Sequence, residues 1–266
     1  MENEPANQSD AEHSPPKRAR GIYLLPNLFT TAALFAGFYA VLAAMNDQFE
    51  KAAIAIFVAM ILDGLDGRVA RLTNTQTAFG AEYDSLSDMV AFGLAPSLVM
   101  YEWGLHNLGK LGWLAAFIYT AGAALRLARF NSQLDTADKR YFTGLPSPSA
   151  AAILAGFVWV AVDNTLSGET FAWPALVLTT GAGLLMVSNI RFHSFKQIDL
   201  KGKVPFIVVV AVMLAFAVIL TEPPMVLFAI FFAYTASGPV LALRRKMGGS
   251  QPARDETAQD AEAGDS

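Results

Sequence analysis

Eight apolar runs alternate with polar connections along the chain, near residues 22–45, 51–71, 84–103, 110–130, 147–163, 171–189, 204–221 and 224–243. Each approaches the roughly 20 residues that a helix needs to cross about 30 Å of hydrocarbon. The pattern predicts an all-α integral membrane protein with about eight transmembrane helices. Pro26-Asn27 predicts an interfacial start to the first run, and Glu222-Pro223-Pro224 predicts a tight hairpin between the last two. The flanks, 1–20 and 247–266, are rich in Glu, Asp, Ser, Gln, Ala and Pro and have almost nothing to bury. They are expected to be disordered, leaving one transmembrane domain over 21–246.

Composition agrees with this division: 54% of residues are hydrophobic and 16% are charged, against about a quarter charged in a soluble domain. The chain has no cysteine, which excludes disulfides, thiolate metal sites and cysteine nucleophiles. Residues 1–20 lack an apolar core and are not expected to act as a cleavable signal peptide. The formal net charge of −4 conceals a strong asymmetry. Seventeen of the nineteen Lys and Arg residues fall before the first run, or within the last turns or beyond the ends of the second, fourth, sixth and eighth; only Lys51 and Lys110 do not. By the positive-inside rule this places both termini and the longer connections in the cytoplasm. The protein is therefore expected in the inner (cell) membrane, working at its cytoplasmic face. Trp103, Trp113, Trp159 and Trp173 lie towards the opposite ends, as an aromatic belt would.

The stretch Asp63–Asp88, DGLDGRVARLTNTQTAFGAEYDSLSD, breaks the apolar pattern. An aspartate at bilayer depth costs about 3 kcal/mol, so intramembrane acids are rare without a role. Asp63 and Asp66 are three apart, about 60° around a helix; Asp84 and Asp88 are four apart, about 40° around the next. A short loop between antiparallel helices brings the pairs together. Four carboxylates in one pocket repel unless a cation joins them. Oxygen-only ligands favour Mg²⁺ or Mn²⁺, and without His or Cys the set argues against zinc. Such a site on a membrane face suits phosphate chemistry, with Gly67 permitting close approach and Arg71 offering a bidentate phosphate donor. A cation route through a transporter is the competing class. Transporter sites, however, lie near the midplane of repeated halves, whereas these acids sit at one edge and no repeat is visible.

Asp63, Asp66, Gly67, Ala70, Arg71, Gly80, Asp84 and Asp88 fill every fixed position of the pattern D-x-x-D-G-x-x-A-R-x8-G-x-x-x-D-x-x-x-D. In this the chain resembles the CDP-alcohol phosphatidyltransferases. The resemblance implies transfer of a phosphatidyl group from a CDP-linked lipid to an alcohol, with release of CMP, at a divalent metal site that often holds two ions. It implies Asp63, Asp66, Asp84 and Asp88 as metal ligands and Asp88 also as the general base. Asn27, Gly67, Ala70, Arg71, Thr77 and Gly80 are implied to meet the CDP-lipid. A homodimer is usual in the family; no nucleic-acid partner is expected.

Three further stretches, LRLARFN (125–131), GLPSPSAAA (144–152) and SNIRFHSFK (188–196), extend the resemblance to the bacterial serine-using branch. This implies CDP-diacylglycerol and L-serine as substrates, with Arg126, Arg129, Ser147, Arg191 and Lys196 as candidate acceptor contacts. The physics is compatible, since a serine carboxylate needs a cation. The same cations would also serve as positive-inside anchors, and Ser beside Pro commonly caps helices. Charge alone does not separate serine from glycerol 3-phosphate, inositol phosphate or choline as acceptor. Phe195 stands where a phospholipase-D-like H-x-K motif starting at His193 would need Lys, so that chemistry is not expected.

Overall fold

The computed structural model describes residues 24–73, 75–132, 141–193 and 206–247. Nine α-helices lie among these residues: α1 (Leu24–Ala44), α2 (Phe49–Thr73), α3 (Ala78–Asp88), α4 (Ala95–Trp103), α5 (Lys110–Ser132), α6 (Ser147–Asp163), α7 (Ala172–Val187), α8 (Phe206–Thr221) and α9 (Pro223–Met247). A π-helical segment, Met89–Leu94, joins α3 to α4. The third apolar run is thus one rod of three parts rather than one regular helix. Both tails expected to be disordered lie almost wholly outside the described residues, as does Lys196.

Helices Pro26–Ala44, Lys110–Ser132 and Pro223–Arg244 are long and apolar enough to cross a membrane; Ser147–Asp163 and Ala172–Val187 are shorter apolar helices. Helix α2 is long enough at 25 residues but carries Asp63, Asp66, Arg68 and Arg71 in its second half.

The described residues are helical as expected, with one small addition: Tyr141–Thr143 (β1) and Arg191–His193 (β2) pair antiparallel, with Phe142 opposite Phe192. Three-residue strands are too short to register as an alternating pattern. Their formation here depends on Gly144, whose φ of +81° is accessible to glycine at little cost. Gly144 donates its N–H to the Ile190 carbonyl at 2.8 Å, closing the ribbon against α7.

Small side chains set the helix spacing. Ala52, Ala59 and Asp66 recur every seven residues along α2, and Thr30, Gly37 and Ala44 recur likewise along α1. These two helices pack more extensively than any other pair. A Cβ added to Gly122 on α5 would stand 2.5 Å from the Gly183 carbonyl oxygen on α7, so the two backbones touch. Close approach through small residues is how helices associate where lipid is as apolar as leucine. Trp113 and Trp173 are exposed, as a belt requires, and Trp159 is half-buried, but Trp103 is not a belt residue. Trp103 is 6% exposed and edge-on to Phe157; Trp159 packs against Phe57.

Candidate active site

Helix α2 ends in a short turn, and Thr77 then caps α3, accepting the Gly80 N–H at 3.0 Å. This cap satisfies one of the free amides at a helix start and fixes the angle at which α3 returns along α2. The return brings Asp84 back beside Asp63 and Asp66, and ligand oxygens of these three all lie within 4.8 Å of one another. Asp88, one turn further, stands within hydrogen-bonding reach of Asp63. Asp66 is 5% exposed, and Asp84 Oδ1 is buried without a hydrogen-bond partner. Buried carboxylate oxygens with no donor are costly, and a cation is the usual remedy. The donor set and its spacing fit a divalent metal with oxygen ligands.

Beside the acids opens a cleft of about 370 Å³. Asn27, Gly67, Ala70, Arg71, Thr77 and Gly80, the six residues expected at the CDP-lipid, all line it together with Asp66 and Asp84. A Cβ built on Gly67 meets nothing within 4 Å, so the wall there is open backbone. Arg71 donates from Nε to the Gly67 carbonyl at 2.8 Å, which leaves its two terminal nitrogens to the cleft.

Thr30 and Ser87 were not singled out by sequence. Thr30 Oγ1 donates to Asp66 Oδ2 at 2.8 Å, and Ser87 Oγ donates to the Thr30 carbonyl at 3.1 Å. One residue of α1 therefore ties Asp66 on α2 to the neighbour of Asp88 on α3. The seven-residue spacing of Thr30 with Gly37 and Ala44 was the available signal. Thr30→Val keeps the shape and removes the donor. Outer-shell partners of metal ligands are typically worth 10- to 100-fold in affinity. The Mn²⁺ concentration needed for half-maximal thermal protection should therefore rise about tenfold. A cation titration of thermal unfolding checks this; an unchanged midpoint concentration would count against it.

The residues expected at the acceptor divide. Arg126 is 9% exposed and donates from Nη1 to Ser147 Oγ at 3.0 Å; its Nε is buried without a partner. Ser147 is buried and accepts from Arg126, and the N-cap of α6 is Pro146. Arg129 is used differently. Its Nη1 points to the Val187 carbonyl at 3.4 Å and Asn189 Oδ1 at 3.2 Å, and its Nη2 to the carbonyls of Thr143 at 3.0 Å and Ser188 at 3.3 Å. It ties the end of α7 and the end of β1 to α5. Arg191 contributes backbone to β2 opposite Thr143. Asn131 Nδ2 donates to Ser85 Oγ at 3.0 Å, linking α5 to α3 beside the acids.

The family model described as CDP-alcohol phosphatidyltransferase matches residues 23–181, which contain the whole acidic cluster and cleft. The chain belongs to this family. Among its relatives in the family, a Helicobacter pylori (strain ATCC 700392 / 26695) protein is 41% identical over 198 residues, covering 73% of this chain and 82% of its own. A Mycobacterium leprae (strain TN) protein is 31% identical over 229 residues, covering 84% and 76%. A Bacillus subtilis (strain 168) protein is 34% identical over 176 residues, covering 65% and 92%. All three bear the name CDP-diacylglycerol–serine O-phosphatidyltransferase. Family membership also weighs against the transporter class, because the matched region contains all four acids that would have marked an ion route.

Proposed function

We propose that this protein transfers the phosphatidyl group of CDP-diacylglycerol to the hydroxyl of L-serine, giving phosphatidylserine and CMP. The observation that carries the chemistry is the convergence of Asp63, Asp66 and Asp84 beside a cleft lined by every residue expected at the CDP-lipid. The serine acceptor is supported by the shared name of relatives at 31–42% identity over most of the chain.

In this reading Asp63, Asp66, Asp84 and Asp88 hold Mg²⁺ or Mn²⁺, as two ions. The metal, when bound, neutralises charge on the diphosphate and on the departing CMP. Arg71 orients the diphosphate, and the bare backbone at Gly67 lets it lie close to α2. Arg126, supported by Ser147, receives the serine carboxylate; its buried, unpartnered Nε supplies a charge-assisted donor. Asp88 accepts the hydroxyl proton as the serine oxygen bonds to phosphorus and the bond from phosphorus to the CMP oxygen breaks. Direct displacement needs no other nucleophile. The lipid tails stay in the bilayer, and eight spans put both termini and the cleft on the cytoplasmic side of the inner membrane. The enzyme works there as a homodimer.

Purified protein given CDP-diacylglycerol, Mn²⁺ and a panel of alcohols is expected to release CMP with L-serine. CMP release with glycerol 3-phosphate, inositol phosphate or choline, but not with serine, would sink the acceptor assignment and leave the chemistry standing. Ion flux across liposomes without CMP release would sink both.

A further inference from the structure

The joint between α3 and α4 is built to a purpose. In an uninterrupted α-helix each residue turns 100°. Taking Asp84 as zero, Asp88 falls at about 40° and Ala91 at about 340°, facing the acids. The buried residues of α4, Ala95, Pro96, Ser97, Val99, Met100 and Trp103, would instead centre at about 110°. A single straight helix could not bury both faces against the same neighbours. The π turn takes up one extra residue, and one residue is about 100°. The π segment is therefore what lets Asp84 and Asp88 face the site while α4 faces the core.

A π turn weakens the hydrogen-bond ladder, and here the sequence weakens it further. Within the π segment the carbonyl of residue i looks to the amide five residues on, as the Val90 carbonyl does to Ala95; Pro96, with no N–H, can serve neither Ala91 in that pattern nor Phe92 in the α-helical one. Phe92 is fully buried, so an unfilled carbonyl there would be costly. Tyr119, on α5 and also fully buried, donates its hydroxyl to the Phe92 carbonyl at 2.9 Å. The segment is held from the other side too: a Cβ on Gly37 of α1 would stand 2.7 Å from Ala91 Cα, so α1 lies directly against it.

We propose that Tyr119 is a positioning residue for Asp88: its hydroxyl gives the Phe92 carbonyl a donor from α5 at the point where Pro96 supplies none, and so holds the π turn that aims Asp88 at the reacting hydroxyl. This rests on the reading of Asp88 as the base. Tyr119 touches no substrate in this arrangement and acts only through the backbone of Met89–Leu94.

The test is Tyr119→Phe in the full chain in lipid nanodiscs, beside wild type and Asp88→Asn. Misplacement of a reacting group by about 1 Å costs on the order of a hundredfold. The kcat of Tyr119→Phe is expected to fall tenfold or more, with KM for serine and for CDP-diacylglycerol within twofold of wild type. Amide hydrogen exchange is expected to quicken in peptides from 84–95 and to stay unchanged in α6 and α7. A kcat within twofold of wild type overturns the proposal. So does a lowered kcat whose faster exchange spreads equally through α6 and α7, which would mark general loosening. If wild type shows no serine-dependent CMP release, or Asp88→Asn retains it, the underlying reading has failed, and the exchange data alone then decide whether Tyr119 holds the π turn.

Discussion

Asp88→Asn is expected to lower serine-dependent CMP release by about 10³-fold or more while the protein stays folded. A positioned general base contributes about 10²–10⁴-fold, and Asp88 also belongs to the acidic cluster, being in contact with Asp63. Asparagine has nearly the same shape but cannot accept the proton and is a poorer cation ligand. The substitution also removes one of several crowded negative charges, so no loss of thermal stability is expected. Turnover at fixed CDP-diacylglycerol, paired with a thermal unfolding curve, measures both effects. More than a tenth of wild-type turnover in a folded variant would remove Asp88 from the base role.

Arg126→Gln should act on the acceptor side. A charge-assisted hydrogen bond is worth about 1.5–3 kcal/mol, equivalent to roughly 10- to 150-fold in affinity. The KM for serine is therefore expected to rise by about that factor, while KM for CDP-diacylglycerol changes less than threefold. Glutamine is two atoms shorter and neutral, so it removes the donor that now reaches Ser147 Oγ at 3.0 Å as well as the charge; a thermal unfolding curve shows whether the start of α6 is kept. Steady-state kinetics with each substrate varied in turn makes the distinction. An equal rise in both constants would mean that Arg126 shapes the site as a whole, and an unchanged serine KM would place the acceptor carboxylate elsewhere.

The acidic cluster was legible in the sequence because its chemistry is local. The spacings within Asp63–Asp66 and Asp84–Asp88 fix helix faces, and the short connection leaves the two pairs little choice but to meet. Residues whose work depends on distant partners were harder to read. Thr30 in an apolar helix looks like packing until Asp66 is placed opposite it. Arg126 and Arg129, three residues apart on one helix, look equivalent; only the tertiary fold gives Arg129 four carbonyl and amide oxygens and leaves Arg126 a buried free nitrogen. Tyr119 could not be linked to Phe92 from periodicity, because a π turn hides its extra residue inside an apolar run. The pairing of Tyr141–Thr143 with Arg191–His193 joins segments about fifty residues apart, beyond the reach of any local pattern. Trp103 illustrates the opposite error: position near a helix end suggested a lipid-water boundary, but Phe157 inside the bundle packs against it and buries it.

The clasp made by Arg129 has a consequence for how the enzyme meets different lipids. Membranes vary in thickness, and spanning helices answer by tilting, at a cost of a fraction of a kcal/mol per Å of mismatch. Helices α6 and α7 are among the shorter apolar helices and so are the ones most exposed to such adjustment. Their site-side feet, at Thr143 and at Val187–Asn189, are held to a single guanidinium. Tilting can then swing the far ends of the pair but cannot splay the feet. Changes in bilayer thickness are thereby absorbed away from Ser147 and Arg126, and this buried hydrogen-bonded pair keeps its geometry as the membrane around it changes.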